Sequence, residues 1–263
     1  MILYGKPIAD KIYKSLESKL RDLKEQNIIS TMAVILIGED PVSLVYIKLK
    51  EEIAERLGIE FKLFHLLGIS SENQVINLVS DLNKNKFIHG IVVQLPLPDG
   101  LDQEKILQSI SPQKDIDGLN SEILPPTAAA ILEILEFYNI NYKHLKIVIV
   151  GRGRLVGGPL EKMLTAQGVE PLVCDSKTNN LKIETLKADI LILATGTPDL
   201  IKADMVRDDT IVIDAGTTES NGKMTGDVSE EVYGKVETYS PVPGGVGPVT
   251  VACLMRNLIE AAR

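Results

Sequence analysis

The chain has 263 residues, of which 44% are hydrophobic and 24% charged, values typical of a folded globular protein with one large or two modest domains. A formal net charge of −8 argues against nucleic acid as the main partner, because binding to phosphates needs a basic face. The two cysteines and three scattered histidines predict neither a disulfide framework nor a metal site, and no apolar run is long enough to span a bilayer.

The first part of the chain alternates between helix and strand patterns. In order, we predict an amphipathic helix at 8–20, a buried strand at 33–37, a helix between Asp40-Pro41 and Gly58, a strand at 61–66, a helix capped by Ser71 and Gln74, and a buried strand at 90–93.

The alternation resumes after Pro125-Pro126. There we predict a helix through 131–135, a strand at 147–150, a helix at 157–167, strands at 171–174, 190–193 and 211–213, and a last apolar helix. Such alternation is typical of doubly wound sheets, so we predict an α/β fold of two domains with a cleft between them.

The segment 146–158, KIVIVGRGRLVGG, leads from a predicted strand through Gly151, Gly153 and Gly157 into a predicted helix. Glycines in this context let a pyrophosphate approach the backbone at a helix N-terminus, where free N–H groups and the helix dipole favour an anion. Asp175 ends the next predicted strand, about 20 residues on, where a ribose contact is expected. We predict a dinucleotide site, the alternative being a purely structural tight turn.

Ser43, Tyr46 and Lys50 have spacings that place them on one face of the second helix. On this pattern alone the face suits solvent, with Ser43 near the helix start. The alternative is an aromatic platform one turn from an amine. A lysine in a cleft is easily desolvated, and it can then act as a neutral base or a proton donor.

Two further polar positions are candidates for ligand contact. Gln94 ends a buried strand, and ligands gather outside the carboxyl ends of strands in open α/β sheets, although a residue that simply caps the strand fits equally well. Asp115 and Asp117 precede Gly118 and are, on local grounds, ordinary loop residues.

The segment 239–250, YSPVPGGVGPVT, is rich in proline and glycine. Its prolines fix φ, while Gly244 and Gly245 leave bare backbone on which a flat ring can lie. Pro248 suits the first turn of the helix that follows. A rigid, bare wall fits ligand binding, and a tight inter-domain hinge is the alternative.

Together these segments resemble the bifunctional methylenetetrahydrofolate dehydrogenase/methenyltetrahydrofolate cyclohydrolase family. The matching segments, in the family's order, are IGEDPVSLVYIKLKEEIAERLGI (37–59), GIVVQLPLP (90–98), SPQKDIDGL (111–119), VGRGRLVGGP (150–159), VCDSKT (173–178) and PVPGGVGPVT (241–250). The resemblance implies a folate-binding catalytic domain of residues 1–126 and 242–263, to which the last helix returns, and a Rossmann-like NAD(P)-binding domain of residues 127–241.

The resemblance also implies roles in the catalytic domain. Lys50 is implied as the catalytic lysine and Tyr46 as the residue that stacks beside the folate. Gln94 would hydrogen-bond to Lys50, with Ser43 nearby. Asp117 would accept hydrogen bonds from the amino and ring N–H groups of the pterin.

For the cofactor, Arg152 and Ser176 match positions near the adenosine phosphate of NADP, and the Gly244–Gly245 loop would line the cleft. Asp175 argues instead for NAD, since a carboxylate at that strand end accepts from the ribose 2′-OH and repels a phosphate. The resemblance favours NADP, so we expect NADP, with NAD as the alternative.

The implied chemistry is the oxidation of methylenetetrahydrofolate to methenyltetrahydrofolate, followed by hydrolysis to formyltetrahydrofolate, in one-carbon metabolism and purine biosynthesis. The implied partners are tetrahydrofolate derivatives and a second copy of the chain, paired as a homodimer through the Rossmann-like domain. The scarcity of cysteines indicates a reducing, cytoplasmic location.

The chain departs from the family's pattern after Asp117. The family usually has a longer loop there with a Pro-Cys-Thr-Pro-x-Gly run, whereas this chain has Pro126, Ala128 and Ala130 in place of the Cys, the second Pro and the Gly. Gly153 stands where a serine is usual. A dehydrogenase with weak or lost cyclohydrolase activity is therefore one alternative, and a non-catalytic folate- or nucleotide-binding relative is another.

Overall fold

The computed structural model describes residues 1–220 and 223–263. The helices are α1 (Lys6–Glu25), α2 (Pro41–Leu57), α3 (Glu72–Lys84), α4 (Gln103–Gln108), α5 (Pro126–Phe137), α6 (Gly157–Ala166), α7 (Leu181–Thr185), α8 (Glu230–Lys235) and α9 (Val246–Ala261). The strands are β1 (Thr31–Ile37), β2 (Glu60–Leu66), β3 (Gly90–Val93), β4 (Ile147–Val150), β5 (Leu172–Cys174), β6 (Ile190–Leu193), β7 (Ile211–Asp214), β8 (Thr218–Ser220), β9 (Lys223–Thr225) and β10 (Thr238–Tyr239). Within the described ranges, no helix is long and apolar enough to cross a membrane.

The chain divides into two compact units. The N-terminal unit comprises residues 11–126 and 251–263, and the Rossmann-like unit comprises residues 1–10 and 127–250. The predicted domains assign residues 1–10 and 242–250 to the other unit. Which division corresponds to the functional domains stays a prediction.

The N-terminal unit is built on a parallel sheet of three strands in the order β2-β1-β3. The central strand β1 is buried at every position, as its unbroken apolar sequence TMAVILI requires. At the sheet edge, β2 is exposed or part-buried along its length. Helix α3 packs Val75, Val79 and Leu82 into the same core, so one face of this sheet is closed by a helix.

Local capping sets where helix α2 begins and ends. Asp40 accepts a hydrogen bond of 2.7 Å from the backbone N of Ser43, and Pro41 occupies the first helical turn. Gly58 ends the helix with a left-handed φ of 70°. Because capping fixes where α2 begins and ends, it also fixes which residues, Lys50 among them, share one face of the helix.

The end of α9 belongs to the N-terminal unit. Asn257 donates from its side-chain amide to the carbonyl oxygens of Ile116 and Leu124, at 2.9 and 3.0 Å. Glu260 forms an ion pair with Lys19 on α1. The prediction that the last helix returns to the first domain is confirmed.

The Rossmann-like unit contains five parallel strands in the order β10-β7-β6-β4-β5. The N-terminal residues extend this sheet, because Ile2 forms a parallel bridge with Tyr239 and the N–H of Leu3 donates to the Tyr239 carbonyl at 2.8 Å. Strands β8 and β9 form a separate antiparallel pair. The strand order changes direction between β4 and β6, which is where doubly wound folds bind their ligands.

The α/β class, the predicted strands and the capping box of Ser71 and Gln74 are confirmed, with small differences at element ends. Helices α4, α7 and α8, the β8–β9 pair and strand β10 were not predicted. These elements are short, so none of them carries enough apolar period to be recognised in the sequence.

Candidate functional site

Two of the predicted site residues meet in the N-terminal unit. The Nζ of Lys50 donates a hydrogen bond of 2.8 Å to the Oε1 of Gln94. The Gln94 side chain is held in turn, because its Nε2 donates to the Leu95 carbonyl at 2.9 Å and its backbone N donates to the Ile35 carbonyl. Helix α2 thus supplies the amine, and the residue after β3 supplies a fixed, neutral acceptor for it.

Burial changes the acid–base character of this amine. Lys50 is only 9% exposed. Desolvation lowers its pKa below the usual value of a lysine, and the charge of Asp117 offsets part of that decrease. Desolvation also raises the pKa of the Asp117 carboxyl to about 6, against the opposing charge of Lys50. The pair therefore places a lysine of reduced basicity near a carboxyl group of reduced acidity.

The other two predicted residues of α2 lie on the same face as Lys50. Ser43 is buried and its hydroxyl donates to the Leu95 carbonyl at 3.3 Å, while Tyr46 is half-buried. By contrast, Lys48 and Glu51 are exposed. The interpretation of this face as a solvated stripe is therefore wrong, although the catalytic roles of its residues stay predictions.

The loop after Asp117 is short but tightly held. Gly118 has a φ of +66°, and a Cβ there would lie 2.2 Å from the carbonyl oxygen of Ile123. Asp115 is fully buried and accepts from the backbone N of Asn120, whose side chain donates to the Gln108 and Ile110 carbonyls at and just after the end of α4. Asp115 thus anchors the loop, which explains its presence beside Asp117.

The glycine turn of the Rossmann-like unit has the geometry that close backbone approach requires. Gly151 has a φ of +103°, and a Cβ there would lie 2.5 Å from the Ala194 carbonyl oxygen. A Cβ on Gly157 would lie 1.8 Å from the Gly151 carbonyl oxygen. A Cβ on Gly153 would meet nothing within 4 Å, so two of the three glycines are required by packing.

The first turn of α6 is suited to an anion. The residue before it, Val156, provides no side-chain cap. The N–H of Gly158 donates to the Gly153 carbonyl at 3.0 Å and Pro159 has no N–H, so the turn offers a pyrophosphate mainly close approach to glycine backbone and the positive end of the helix dipole. The residues present therefore fit the group for which the motif predicts a site.

Arg152 is paired within its own unit. Its Nε and Nη2 donate to the two carboxylate oxygens of Glu161 on α6 at 3.2 and 3.0 Å. The sequence did not single out Glu161, although a carboxylate nine positions after an arginine, across a turn into a helix, was the available signal. The predicted phosphate contact of Arg152 thus has an internal competitor.

The residues after β5 point away from the core. Cys174 is 1% exposed, whereas Asp175 and Ser176 are exposed. One oxygen of Asp175 accepts from the backbone N of Lys177 at 2.8 Å, and the backbone N of Asp175 donates to Thr178 Oγ1. At the end of β5, therefore, Cys174 faces the core and Asp175 faces outward.

The proline- and glycine-rich segment owes part of its composition to its own packing. Gly244 has a φ of +107° with open space around its Cα, and a Cβ on Gly245 would lie 2.7 Å from the Pro241 carbonyl oxygen. Gly5 packs on this segment, since its backbone N donates to the Gly244 carbonyl at 2.9 Å. Gly245 is thus required by packing and Gly244 by backbone conformation, and their contact with a ligand stays a prediction.

Two buried carboxylates escaped the sequence reasoning. Asp214 and Asp227 in the Rossmann-like unit are 1% and 0% exposed. Desolvation raises the pKa of Asp214 to about 7 and also raises that of Asp227. In the sequence, Asp214 lies two residues before Gly216 and Asp227 directly follows Gly226, and these nearby glycines were the only signal that could have indicated a close approach at either aspartate. Across 1–220 and 223–263, the structure contains no group of three His, Cys, Asp or Glu able to hold a metal ion.

Comparison with known families covers both units. Residues 3–117 match the model of the tetrahydrofolate dehydrogenase/cyclohydrolase catalytic domain. Residues 125–263 match the model of the NAD(P)-binding domain of the same family.

Individual proteins are similar over their full length. The bifunctional protein FolD of Bacillus pumilus (strain SAFR-032) is 38% identical over 275 residues, covering 100% of this chain and 97% of that protein. The crystal structure of the bifunctional enzyme FolD, a methylenetetrahydrofolate dehydrogenase/cyclohydrolase from Campylobacter jejuni, is 38% identical with a TM-score of 0.92, covering 100% of this chain and 98% of that one. The Trypanosoma brucei FolD, solved with NADP cofactor and an inhibitor, is 29% identical with a TM-score of 0.92, covering 100% and 97%. On the family models and the full-length identity, the chain belongs to the tetrahydrofolate dehydrogenase/cyclohydrolase family.

Proposed function

We propose that the protein is a bifunctional enzyme of one-carbon metabolism. It oxidises methylenetetrahydrofolate to methenyltetrahydrofolate with a nicotinamide cofactor and then hydrolyses the product to formyltetrahydrofolate. The observation that carries this proposal is the buried Lys50 amine, bonded to Gln94 and electrostatically coupled to Asp117, in a chain whose family binds folates and NAD(P).

The hydrolytic step needs a group that moves protons near neutral pH. Water adds to the cationic methenyl carbon, the attacking water loses a proton, and one carbon–nitrogen bond breaks to leave the formyl group. Lys50, with its pKa lowered by burial, takes the first proton from the water and returns it to the departing nitrogen, and the remaining hydroxyl proton of the adduct is released to solvent as the formyl C=O forms. Gln94 holds the amine in place through a neutral acceptor, so it does not lock the lysine in its protonated form.

Folate recognition is assigned to residues of the same unit. Asp117, as a carboxylate, accepts from the amino and ring N–H donors of the pterin. Tyr46 stacks beside the folate, and Ser43 supports the Gln94-Leu95 backbone by its bond to the Leu95 carbonyl. The resemblance to the family adds Gly244 and Gly245, which belong to the other unit, as substrate-binding residues.

The oxidative step depends on the Rossmann-like unit. A nicotinamide cofactor bound there would accept the hydride that leaves the methylene carbon. The turn at Gly151 and Gly157 and the uncapped start of α6 hold the pyrophosphate. Arg152 and Ser176 favour the phosphate of NADP. The Trypanosoma brucei relative was solved with NADP, which supports the same choice. Because Asp175 can accept from the ribose 2′-OH of NAD, we expect measurable use of NAD as well.

The remaining assignments concern the cellular setting. The predicted division into a folate-binding domain (residues 1–126 and 242–263) and an NAD(P)-binding domain (127–241) is retained as part of the proposal. Formyltetrahydrofolate would supply purine biosynthesis in the cytoplasm. A homodimer through the Rossmann-like unit is supported by edge strand β5, where Leu172 is 42% exposed.

A coupled assay tests the proposal. Purified protein is given methylenetetrahydrofolate with NADP or NAD, and cofactor reduction and folate products are followed separately. The proposal expects reduction of cofactor and accumulation of the formyl product, with kcat/KM higher for NADP. Cofactor reduction that stops at the methenyl product favours the dehydrogenase without efficient cyclohydrolase activity, and no reduction with either cofactor excludes both enzymes.

A further inference from the structure

The Rossmann-like unit contains a buried carboxylate pair that the proposed chemistry does not use. Asp214 ends β7, and Asp227 follows β9. Their exposed fractions are 1% and 0%, so each must find its hydrogen-bond donors inside the protein.

Asp227 fixes the loop of residues 194–197, which follows β6. Its Oδ2 accepts from both the backbone N and the Oγ1 of Thr195, at 2.7 and 2.8 Å. Its Oδ1 accepts from the backbone N of Thr197 at 2.9 Å. Three donors converge on the two carboxylate oxygens, so two acceptor oxygens satisfy this loop, whereas an amide would present an NH₂ donor in place of one of them.

Asp214 fixes the segment that carries Asp227. Its Oδ1 accepts from the backbone N of Gly216 and of Asp227, at 2.9 and 3.2 Å, and its Oδ2 accepts from the backbone N of Val228 at 3.2 Å. The backbone N of Asp214 donates to the hydroxyl of Ser240 at 2.9 Å. The pair thus connects the loops that follow β6, β7 and β9 with the start of the segment after β10.

Two glycines make this arrangement possible, and they do so reciprocally. A Cβ on Gly216, two residues after Asp214, would lie 2.1 Å from Oδ1 of Asp227. A Cβ on Gly226, just before Asp227, would lie 2.1 Å from Oδ2 of Asp214. Each carboxylate therefore occupies the space that a side chain would fill if the glycine in the other aspartate's segment were replaced by any other residue.

The loop held by Asp227 lies at the cofactor end of the sheet. Strands β4 and β6 are neighbours, and the strand order changes direction between them. The loops at their carboxyl ends touch, because a Cβ on Gly151 would lie 2.5 Å from the Ala194 carbonyl oxygen. Movement of the 194–197 loop would therefore change the space available to a dinucleotide at the glycine turn.

We propose that Asp227, held by Asp214, is a positioning residue for the nicotinamide cofactor, acting through the 194–197 loop. The proposal deepens the proposed function and rests on it, since it assumes that a dinucleotide binds at the glycine turn. Asp227 belongs to the Rossmann-like unit, whereas Lys50, Gln94 and Asp117 belong to the N-terminal unit, so its influence is expected on cofactor binding and oxidation, and not on hydrolysis.

The test compares Asp227→Asn with Asp208→Asn, an exposed carboxylate of the same unit that pairs with Lys235 at 3.6 Å. NADP binding is measured by calorimetry, and cyclohydrolase activity is measured on methenyltetrahydrofolate supplied directly. We expect Asp227→Asn to raise the Kd for NADP by about 10-fold or more, as loss of charge-assisted hydrogen bonds does, with hydrolysis within about 2-fold of the unmutated protein. Asp208→Asn should change neither.

A second pair of variants covers the case in which Asp227→Asn does not fold. Thr195→Val removes both bonds of the hydroxyl, the one donated to Asp227 and the one accepted from the backbone N of Thr197, and keeps the backbone bond, while Thr195→Ser keeps all three. Thr195→Val should raise the Kd for NADP by about 3-fold or more, and Thr195→Ser should stay close to the unmutated value. Unchanged NADP affinity in Asp227→Asn and Thr195→Val, or equal loss of hydrolysis and oxidation, would overturn the inference. If the unmutated protein binds no NADP, it is the proposed function that fails.

Discussion

The Nζ of Lys50 lies 2.8 Å from the Oε1 of Gln94, a neutral acceptor fixed at the end of a buried strand. A carboxylate in that place would hold the lysine protonated, whereas an amide oxygen binds the amine without adding a charge. Together with desolvation, which lowers the pKa of Lys50, this geometry makes the amine easier to deprotonate than an exposed lysine and so better suited to proton transfer.

Lys50→Met is expected to lose cyclohydrolase activity by about 100-fold or more, the usual scale for an acid–base group. Dehydrogenase activity should fall less, because hydride transfer itself moves no proton. Lys48→Met is the matched control, since Lys48 is on the same helix with a side chain that is 77% exposed. Near-normal formation of the formyl product by Lys50→Met would remove the assignment.

Gln94→Glu tests the neutral acceptor. The new carboxylate would favour the protonated form of Lys50 and raise its pKa. Because the neutral amine takes the proton from water, the acid limb of the cyclohydrolase profile of kcat/KM against pH should move to higher pH. Gln94→Ala, which removes the acceptor without adding charge, should lower the rate without that upward movement. An unchanged limb in Gln94→Glu would mean that another group titrates in the profile.

Asp117→Ala should weaken folate binding by about 1–3 kcal/mol, since a donor pair on the pterin loses its acceptor. The pKa of Asp117 is raised to about 6, so protonation as pH falls through that value should also weaken binding in the unmutated protein. Asp117→Asn should lose this pH dependence. Calorimetric titration with folate and NADP distinguishes the roles, because equal losses for both ligands would indicate that Asp117 holds the fold.

Glu161→Gln should increase the use of NADP. The carboxylate of Glu161 accepts from two nitrogens of the Arg152 guanidinium, Nε and Nη2, so it competes with a 2′-phosphate for them and repels the phosphate. The Arg152 side chain is 59% exposed and the pair is screened by solvent, so the increase in kcat/KM for NADP should be about 2- to 5-fold, with NAD unaffected. Arg152→Ala should reduce kcat/KM for NADP much more than for NAD. Equal changes for both cofactors would show that Arg152 and Glu161 do not read the phosphate.

Local requirements could be predicted from the sequence, and contacts between distant segments could not. Gly151 and Gly157 were recognised because the strand, the turn and the helix they need are consecutive in the chain. The shared face of Ser43, Tyr46 and Lys50 followed from helical spacing alone. The burial of that face could not be predicted, because it depends on Gln94 and Leu95 after β3, which are 44 and 52 residues from their partners Lys50 and Ser43.

The carboxylate pair illustrates the same limit more sharply. Asp214 and Asp227 are 13 residues apart, and the Thr195 donors are 32 residues from Asp227. Nothing in the local sequence distinguishes these aspartates from ordinary loop residues. Their importance appears only when three loops meet at one end of the sheet, which is a property of the strand order.

The most direct test supplies methenyltetrahydrofolate to the unmutated protein without any preceding oxidation and follows its conversion to the formyl product. We expect hydrolysis well above the uncatalysed rate, and a return to nearly that rate in Lys50→Met. Hydrolysis by the unmutated protein at the uncatalysed rate would contradict the assignment of the Lys50–Gln94 pair as a cyclohydrolase centre.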